Sequence, residues 1–239
     1  MAQTEKVGHG EIGHIHSDVS GGWLRPAVFG AMDGLVTNIA LVAGVGGGGA
    51  GPDVVVLSGV AGLVAGALSM AIGEYTSVET QNDAVRAEVA VERAELRDNP
   101  EGERAELVEA YVAMGLTRPT AERVAAEVHA NPELAVRVHV TQELGVNPDE
   151  QPSPWTAALL SFLCFSLGAL TPLAPFLLGF ASLPAGLLVG GAGLFVAGAL
   201  VARWTTRSWW RNGLRQLALG ALAAVATFLV GSVVGVVTT

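Results

Sequence analysis

The feature that most constrains this chain is a run of 52 residues, 151–202, that contains no charged side chain. A helix of about 20 apolar residues crosses a bilayer core about 30 Å thick, so this run is too long for one crossing. Prolines near its middle divide it into two predicted spans, 155–178 and 183–202. Soluble domains usually carry about 25% charged residues, whereas this chain carries 15%. The sequence predicts a membrane protein and argues against an ordinary globular enzyme or a nucleic-acid-binding protein.

Three other stretches are long and apolar enough to cross a bilayer. We predict spans at 26–48, 54–73 and 217–237, the first interrupted only by Asp33. Residues 1–25 form a polar tail that lacks the basic and short apolar regions of a cleavable signal peptide. The predicted fold class is an all-α membrane protein with five transmembrane helices and a helical insert between the second and the third.

The basic residues predict the orientation. Two precede the first span, seven lie in the segment 74–154 and four lie between the fourth and fifth spans, whereas the other two turns and the C-terminal tail have none. By the positive-inside rule, the N-terminus, the insert and the Arg-rich loop face the cytoplasm and the C-terminus faces outside. One Lys against twelve Arg suggests a GC-rich bacterial genome, so we expect an integral protein of a bacterial inner membrane.

The segment 74–154 is the part of the chain able to form a water-soluble domain, and it divides the spans 26–73 from the spans in 155–239. It carries 17 acidic residues against seven Arg. Capping and turn residues predict its helices. The second span is predicted to continue as a helix through Arg97, and either Asp98 or Asn99 caps the next helix. A third helix begins at 117–120 and stops by Asn131. The last helix begins after Asn131 and ends at Leu144, and a linker at 147–154 follows it.

Acidic side chains in this segment recur at helical spacing. Glu88, Glu92 and Glu95 are four and three residues apart, and Glu103 and Glu106 repeat the shorter spacing, so each set lies on one helix face. Like charges at these spacings repel by about 0.2 to 0.5 kcal/mol per exposed pair. Carboxylates that converge from adjacent helices would bind a divalent cation. A solvated acidic surface is the alternative that the spacing leaves open.

The last helix of the insert adds His139 and Glu143, spaced i and i+4. An imidazole nitrogen among carboxylates shifts the preference of a site toward first-row transition metals. A second metal-binding possibility lies in the tail, where three His residues stand among Gly and Ser: His9, His14 and His16. A disordered tail is the alternative there.

Three residues of the first two spans point to a path through the membrane. A carboxylate inside a span is costly unless it faces a cavity or a partner, so Asp33 is a candidate for an ion or proton path. Met70 offers a thioether to a transition metal, and core packing is the alternative role. Glu74, at the inner end of the second span, is either a ligand at the cavity mouth or the first solvated residue.

Several of these residues stand in motifs that resemble the vacuolar iron transporter family. The motifs are Asp33-Gly34-Leu35-Val36 in the first span, the run 65–70 ending in Ser69-Met70 in the second, and Gly73-Glu74-Tyr75 after it, followed by the acidic insert. The resemblance covers the chain from about Gly22 to its end. It implies five spans, a cytosolic insert and a homodimer that moves Fe²⁺, and in some members Mn²⁺, out of the cytosol in exchange for protons.

The resemblance also assigns roles residue by residue. It places Asp33 and Met70 on the metal path in the membrane, and the glutamates of the metal-binding domain on Glu92, Glu95, Glu103, Glu106 and Glu143. The chain departs from some eukaryotic members at two places. His139 and Val140 stand where those members have adjacent methionines, and Gly62 stands where they have a glutamate.

The function predicted from the sequence is proton-coupled transport of Fe²⁺, with Mn²⁺ as a further substrate, and no prosthetic cofactor. Two alternatives stay open. One is a di-iron ferroxidase, although its Glu-x-x-His pattern does not occur in the insert. The other is a membrane sensor or scaffold that binds a metal without moving it.

Overall fold

The computed structural model describes residues 23–149, 151–204 and 208–238. Most of the predicted N-terminal tail, including its three His residues, lies outside the described residues. Every regular element in the described part is helical. The α-helices are α1 Leu24–Gly47, α2 Pro52–Asp98, α3 Pro100–Ala113, α4 Arg118–His129, α5 Pro132–Leu144, α6 Pro154–Leu177, α7 Leu183–Val201 and α8 Trp209–Thr238, with a short 3-10 helix at Ala202–Trp204.

Five helices are long and apolar enough to cross a membrane: α1, the first part of α2, α6, α7 and α8. This result confirms the predicted fold class of an all-α membrane protein with five spans. One boundary differs clearly from the prediction. Helix α8 begins at Trp209 rather than at 217, because Arg211 and Arg215 are good helix formers that extend the helix beyond its apolar part.

The helix ends in the insert lie where capping chemistry predicts them. The side chain of Asn99 accepts a hydrogen bond from the backbone N–H of Gly102, so Asn99 rather than Asp98 caps α3. The side chain of Asn131 accepts hydrogen bonds from two backbone N–H groups of α5. Gly145 ends α5 with a φ of 66°, a left-handed conformation that favours Gly.

Helix α1 lies at the centre of the apolar part and packs against α2, α6, α7 and α8. Its backbone comes very close to that of α6. A Cβ at Gly34 would overlap the backbone carbonyl of Phe165, and one at Gly168 would overlap that of Ala31. Small residues permit such backbone contact between membrane helices, and here they position Phe165 beside the first two spans.

The insert packs onto the continuation of α2. Its apolar core joins α3, α4 and α5 and contains six buried residues: Leu107, Val108, Ala121, Ala125, Val128 and Ala135. The linker into α6 also contacts this continuation, because the buried Asn82 donates a 3.0 Å hydrogen bond to the carbonyl oxygen of Pro152. Arg137 pairs with Asp149 at 2.8 Å, so the linker contacts both α2 and α5.

Candidate metal sites

The first candidate site is a cavity of about 310 Å³ between α1, α2 and α6. The three path residues predicted from the sequence, Asp33, Met70 and Glu74, all line it. The structure therefore brings these three residues together. Thr37, Ser69 and Phe165 also line the cavity, among other residues.

Helical periodicity explains why these residues meet. Asp33 and Thr37 are one turn apart on α1, and the Thr37 hydroxyl lies 3.5 Å from Asp33 Oδ1. On α2, Met70 and Glu74 are also four residues apart, so they share a face. Glu74 is buried at 8% exposure, which agrees with a ligand at the cavity mouth rather than a fully solvated residue. Met70 packs against the cluster around Phe165, so the thioether also has a packing role.

Asn38 is a polar residue of this region that sequence reasoning missed. Its amide nitrogen donates a 2.6 Å hydrogen bond to the carbonyl oxygen of Ala169, and the residue is 1% exposed. Its Oδ1 has no hydrogen-bond partner among the described residues. A Cβ at Gly62 would lie 3.5 Å from that oxygen. The signal was present in the sequence, since an amide inside an apolar span commonly hydrogen-bonds to a neighbouring membrane helix.

The second candidate site lies in the insert, where α2, α3 and α5 meet. Glu92, Glu103 and His139 are buried there, with exposures of 4%, 9% and 2%. His139 Nδ1 lies 3.2 Å from Glu92 Oε1 and 3.7 Å from Glu103 Oε2. The closest ligand atoms of the three residues all lie within 4.8 Å of one another. We call Glu92, Glu103, His139 and the neighbouring Glu143 the insert cluster.

The shortest of these separations fits two ligands of one metal ion. Two ligand atoms that each lie about 2.1 Å from an ion are about 3.0 Å apart at a right angle and about 3.4 Å apart in a tetrahedral arrangement. The 3.2 Å separation between His139 Nδ1 and Glu92 Oε1 falls in this range. Glu92 Oε1 makes no hydrogen bond with the described residues, and a buried oxygen without a donor is costly. A cation bound between the ligands would satisfy it.

The surrounding carboxylates converge on the same place. Glu143 Oε1 lies 3.8 Å from His139 Nδ1, with its side chain 46% exposed. Burial, followed by the nearby charges of Glu143, Glu103, Glu95 and Glu106 in that order, raises the pKa of Glu92 to about 7. The structure thus places these predicted glutamates close enough to interact.

The same causes act on the other members. Burial, followed by Glu106, Glu95 and Glu143, raises the pKa of Glu103. Burial, followed by Glu106, Glu95 and Glu88, raises the pKa of Glu143. Glu88 thus contributes least to the raised pKa of Glu143. Burial lowers the pKa of His139, and Glu106 opposes that shift only in part.

His129 is the second residue that sequence reasoning missed. Its Nε2 lies 3.1 Å from His139 Nε2, and the two rings meet edge to face with centroids 5.3 Å apart. Burial, His139 and Arg104 lower the pKa of His129, in that order. A single His at the end of a short amphipathic helix gives no sequence signal of this contact, because the contact depends on how α4 packs against α5.

Comparison with known proteins places the chain in a family. The sequence model of the VIT family matches residues 24–232. The chain belongs to the VIT family. It is 38% identical over 163 residues to a vacuolar iron transporter of Acanthamoeba castellanii, and the alignment covers 67% of this chain and 59% of that protein.

Two further relatives of this VIT-family protein carry similar names. A vacuolar iron transporter of Toxoplasma gondii is 34% identical, and the alignment covers 68% of this chain and 54% of that protein. Vacuolar iron transporter 1 of Arabidopsis thaliana is 29% identical, over 88% of this chain and 86% of that protein. The chain thus spans little more than half the length of the first two relatives. All three are named as transporters, which agrees with the expectation that this protein is not an enzyme.

Proposed function

We propose that this VIT-family protein moves Fe²⁺ out of the cytosol in exchange for protons, with Mn²⁺ as a second substrate. The observation that carries the proposal is the cavity at which Asp33, Met70 and Glu74 meet. A carboxylate in an apolar span is expensive unless it serves an ion path. The names of the three relatives support iron as the cargo.

Metal capture begins at the insert cluster. Its carboxylates attract a divalent cation, and His139 contributes a nitrogen that favours a first-row transition metal over Ca²⁺ or Mg²⁺. Glu88, Glu95 and Glu106 raise the local concentration of cations around it. The insert therefore collects the metal on the cytoplasmic side and delivers it toward Glu74.

Proton coupling arises at Asp33. A metal ligand must be deprotonated to bind, so a metal ion and a proton compete for the same carboxylate. A proton that enters from the outer side neutralises Asp33 and releases the cation, and loss of the proton restores the site for the next cation. Met70 supplies a softer ligand that suits Fe²⁺ better than the alkaline-earth ions.

A second copy of the chain completes the transport site in this proposal. Helix α2 is the contact surface in this proposal, and its apolar side chains Leu57, Leu68 and Ile72, which are 70%, 50% and 65% exposed in the single chain, can face a second copy as well as lipid. The helix also supplies Met70 and Glu74 to the cavity. Pairing of two such helices would place the cavities of both subunits beside one another.

Transport of Fe²⁺ by the full chain in proteoliposomes tests the proposal. We expect the wild-type protein to carry Fe²⁺ and to move protons in the opposite direction, and Asp33→Ala to abolish both fluxes while remaining folded. Asp53→Ala is the matched control, since Asp53 is an exposed acid in the first turn of α2 and its loss should leave transport unchanged. Iron flux through Asp33→Ala at the wild-type rate would overturn the mechanism.

Two other readouts from the same preparation separate the alternatives. Oxygen consumption on addition of Fe²⁺ would indicate ferroxidase chemistry. Tight metal binding with no flux through the wild-type protein would indicate a sensor or scaffold.

A further inference from the structure

The imidazole of His139 lies between two different sets of partners. Its Nδ1 faces carboxylate oxygens of Glu92, Glu103 and Glu143 at 3.2, 3.7 and 3.8 Å. Its Nε2 lies 3.1 Å from Nε2 of His129. The ring is 2% exposed, so bulk water does not reach it. The two nitrogens therefore face chemically distinct groups. The position of the ring proton decides which nitrogen donates a hydrogen bond and which offers a lone pair.

A neutral imidazole has one N–H donor and one lone pair. When Nδ1 is to bind a metal among the carboxylates, it must offer its lone pair, and the proton must sit on Nε2. A proton on Nε2 of a buried ring needs an acceptor, because a buried donor without a partner is unfavourable. His129 Nε2 lies at hydrogen-bonding distance to be that acceptor.

The surroundings of His129 favour this role. A neutral His129 ring with its proton on Nδ1 has a lone pair at Nε2 and can accept a hydrogen bond there, and the 3.1 Å separation from His139 Nε2 fits such a bond. His129 lies at the end of α4, whereas His139 lies on α5. Packing of α4 against α5 thus brings an acceptor to the far side of the metal-facing imidazole.

We infer that His129 is a positioning residue: it accepts the Nε2–H of His139 and so directs the Nδ1 lone pair at the metal position of the insert cluster. The inference rests on the proposed role of the cluster in metal capture. Its consequence is selectivity. Carboxylates alone suit Mn²⁺ and Ca²⁺, whereas an imidazole nitrogen adds affinity for later first-row metals such as Co²⁺ and Ni²⁺. His129 therefore controls how strongly the cluster prefers these metals to Mn²⁺.

Metal titration of the full chain in detergent tests this inference. Co²⁺ is the first probe, because its visible absorption reports the ligand set, and Mn²⁺ is the second. Outer partners of a metal-bound His typically account for about 10- to 100-fold in affinity. We expect His129→Leu to weaken Co²⁺ binding by about that factor and to change Mn²⁺ binding much less.

His129→Gln is the matched variant, because its side-chain amide oxygen can accept the same Nε2–H. We expect it to bind Co²⁺ more nearly as the wild-type protein does, and His139→Gln to lose the preference for Co²⁺ over Mn²⁺. If His129→Leu left the ratio of the Co²⁺ and Mn²⁺ affinities unchanged, the inference would be overturned. Failure of His129→Gln to restore Co²⁺ binding would also overturn it.

A measurement on the wild-type protein covers the case in which His129→Leu does not fold. With Zn²⁺ as a diamagnetic probe, the ¹⁵N shifts of the His139 ring should show a proton on Nε2 and a metal-bound Nδ1. A proton on Nδ1 in the metal-loaded protein would refute the inference. Neither experiment requires transport. The absence of iron flux would therefore count against the proposed function alone. A normal flux together with an unchanged metal preference in His129→Leu would count against the role of His129 alone.

Discussion

At the scale of the residue, Glu92 is the group at which we expect metal binding and protonation of the insert cluster to be linked. Its side chain is buried, its Oε1 lacks a hydrogen bond from the described residues, and four other carboxylates raise its pKa together with burial. Protonation relieves this repulsion when no metal is present. A divalent cation relieves it in another way, so protons and metal compete for the same group.

The first prediction concerns the pH dependence of metal affinity. Because the pKa of Glu92 is about 7, lowering the pH from about 8 to about 6 should weaken Mn²⁺ binding to the full chain, approaching about tenfold per pH unit below the pKa. Glu92→Gln should bind more weakly and lose most of this dependence. Glu109→Gln is the control, because Glu109 is exposed and pairs with Arg118. The same dependence in Glu92→Gln would contradict the assignment.

The stability of the metal-free protein should also depend on the protonation of Glu92. The pKa of Glu92 rises on folding from 4.5 to about 7, so its contribution to stability is fully present below about 4.5 and is lost as the pH rises toward 7. We therefore expect the Tm of the metal-free protein to include a Glu92-dependent decrease between about pH 4.5 and 7. Added Mn²⁺ should raise the Tm most at the upper end of this range.

At the scale of the element, close packing of α1 and α6 shapes the membrane cavity. Gly34 and Gly168 allow backbone contact, and this contact places Phe165 in the cavity wall opposite α2. Asp33, Met70 and Glu74 have polar or flexible side chains, but their arrangement depends on glycines that have no functional side chain.

The second prediction is that Gly34→Ala and Gly168→Ala each destabilise the protein. Their new methyl groups would overlap backbone carbonyls, which cannot move aside as a flexible side chain can, and overpacking of this kind costs about 1 to 3 kcal/mol. Thermal unfolding in detergent measures the change. Gly73→Ala is the control, since nothing lies within 4 Å of the added Cβ. Equal Tm values for all three variants would show that α1 and α6 can move apart enough to accommodate the added methyl groups without loss of stability.

At the scale of the whole molecule, α2 joins the two candidate sites. It has 47 residues and rises about 1.5 Å per residue, so it is about 70 Å long, more than twice the thickness of a bilayer core. Met70 and Glu92 lie about 33 Å apart along it. In the proposed function, cargo captured at the insert cluster would travel along the inner part of this helix to reach the cavity.

The third prediction tests the orientation expected from the basic residues. In a Cys164→Ser background, Gly51→Cys lies in the turn before α2 and Asn147→Cys in the linker after α5, both at exposed positions. A membrane-impermeant maleimide should label Gly51→Cys from outside intact cells and Asn147→Cys only after the membrane is opened. Labelling of both from the same side would contradict the predicted topology.

The sequence by itself determined those features that depend on neighbouring residues. Asn99 and Asn131 begin helices through side-chain hydrogen bonds within a few residues, and Gly145 ends one through its dihedral angles. The spans follow from apolar length alone. Helical spacing also placed Met70 and Glu74 on one face of α2. Each of these features arises within one segment, so no knowledge of the packing was needed.

Only the tertiary structure decided which side chains from different helices meet. The contact between His129 and His139 depends on the packing of α4 against α5, and the hydrogen bond from Asn38 to Ala169 depends on the approach of α1 to α6. Burial of Glu92 likewise requires α3 and α5 to cover it, and that burial is the main reason for its raised pKa. These properties depend on distances between segments far apart in the chain, and spacing within one helix contains no information about such distances.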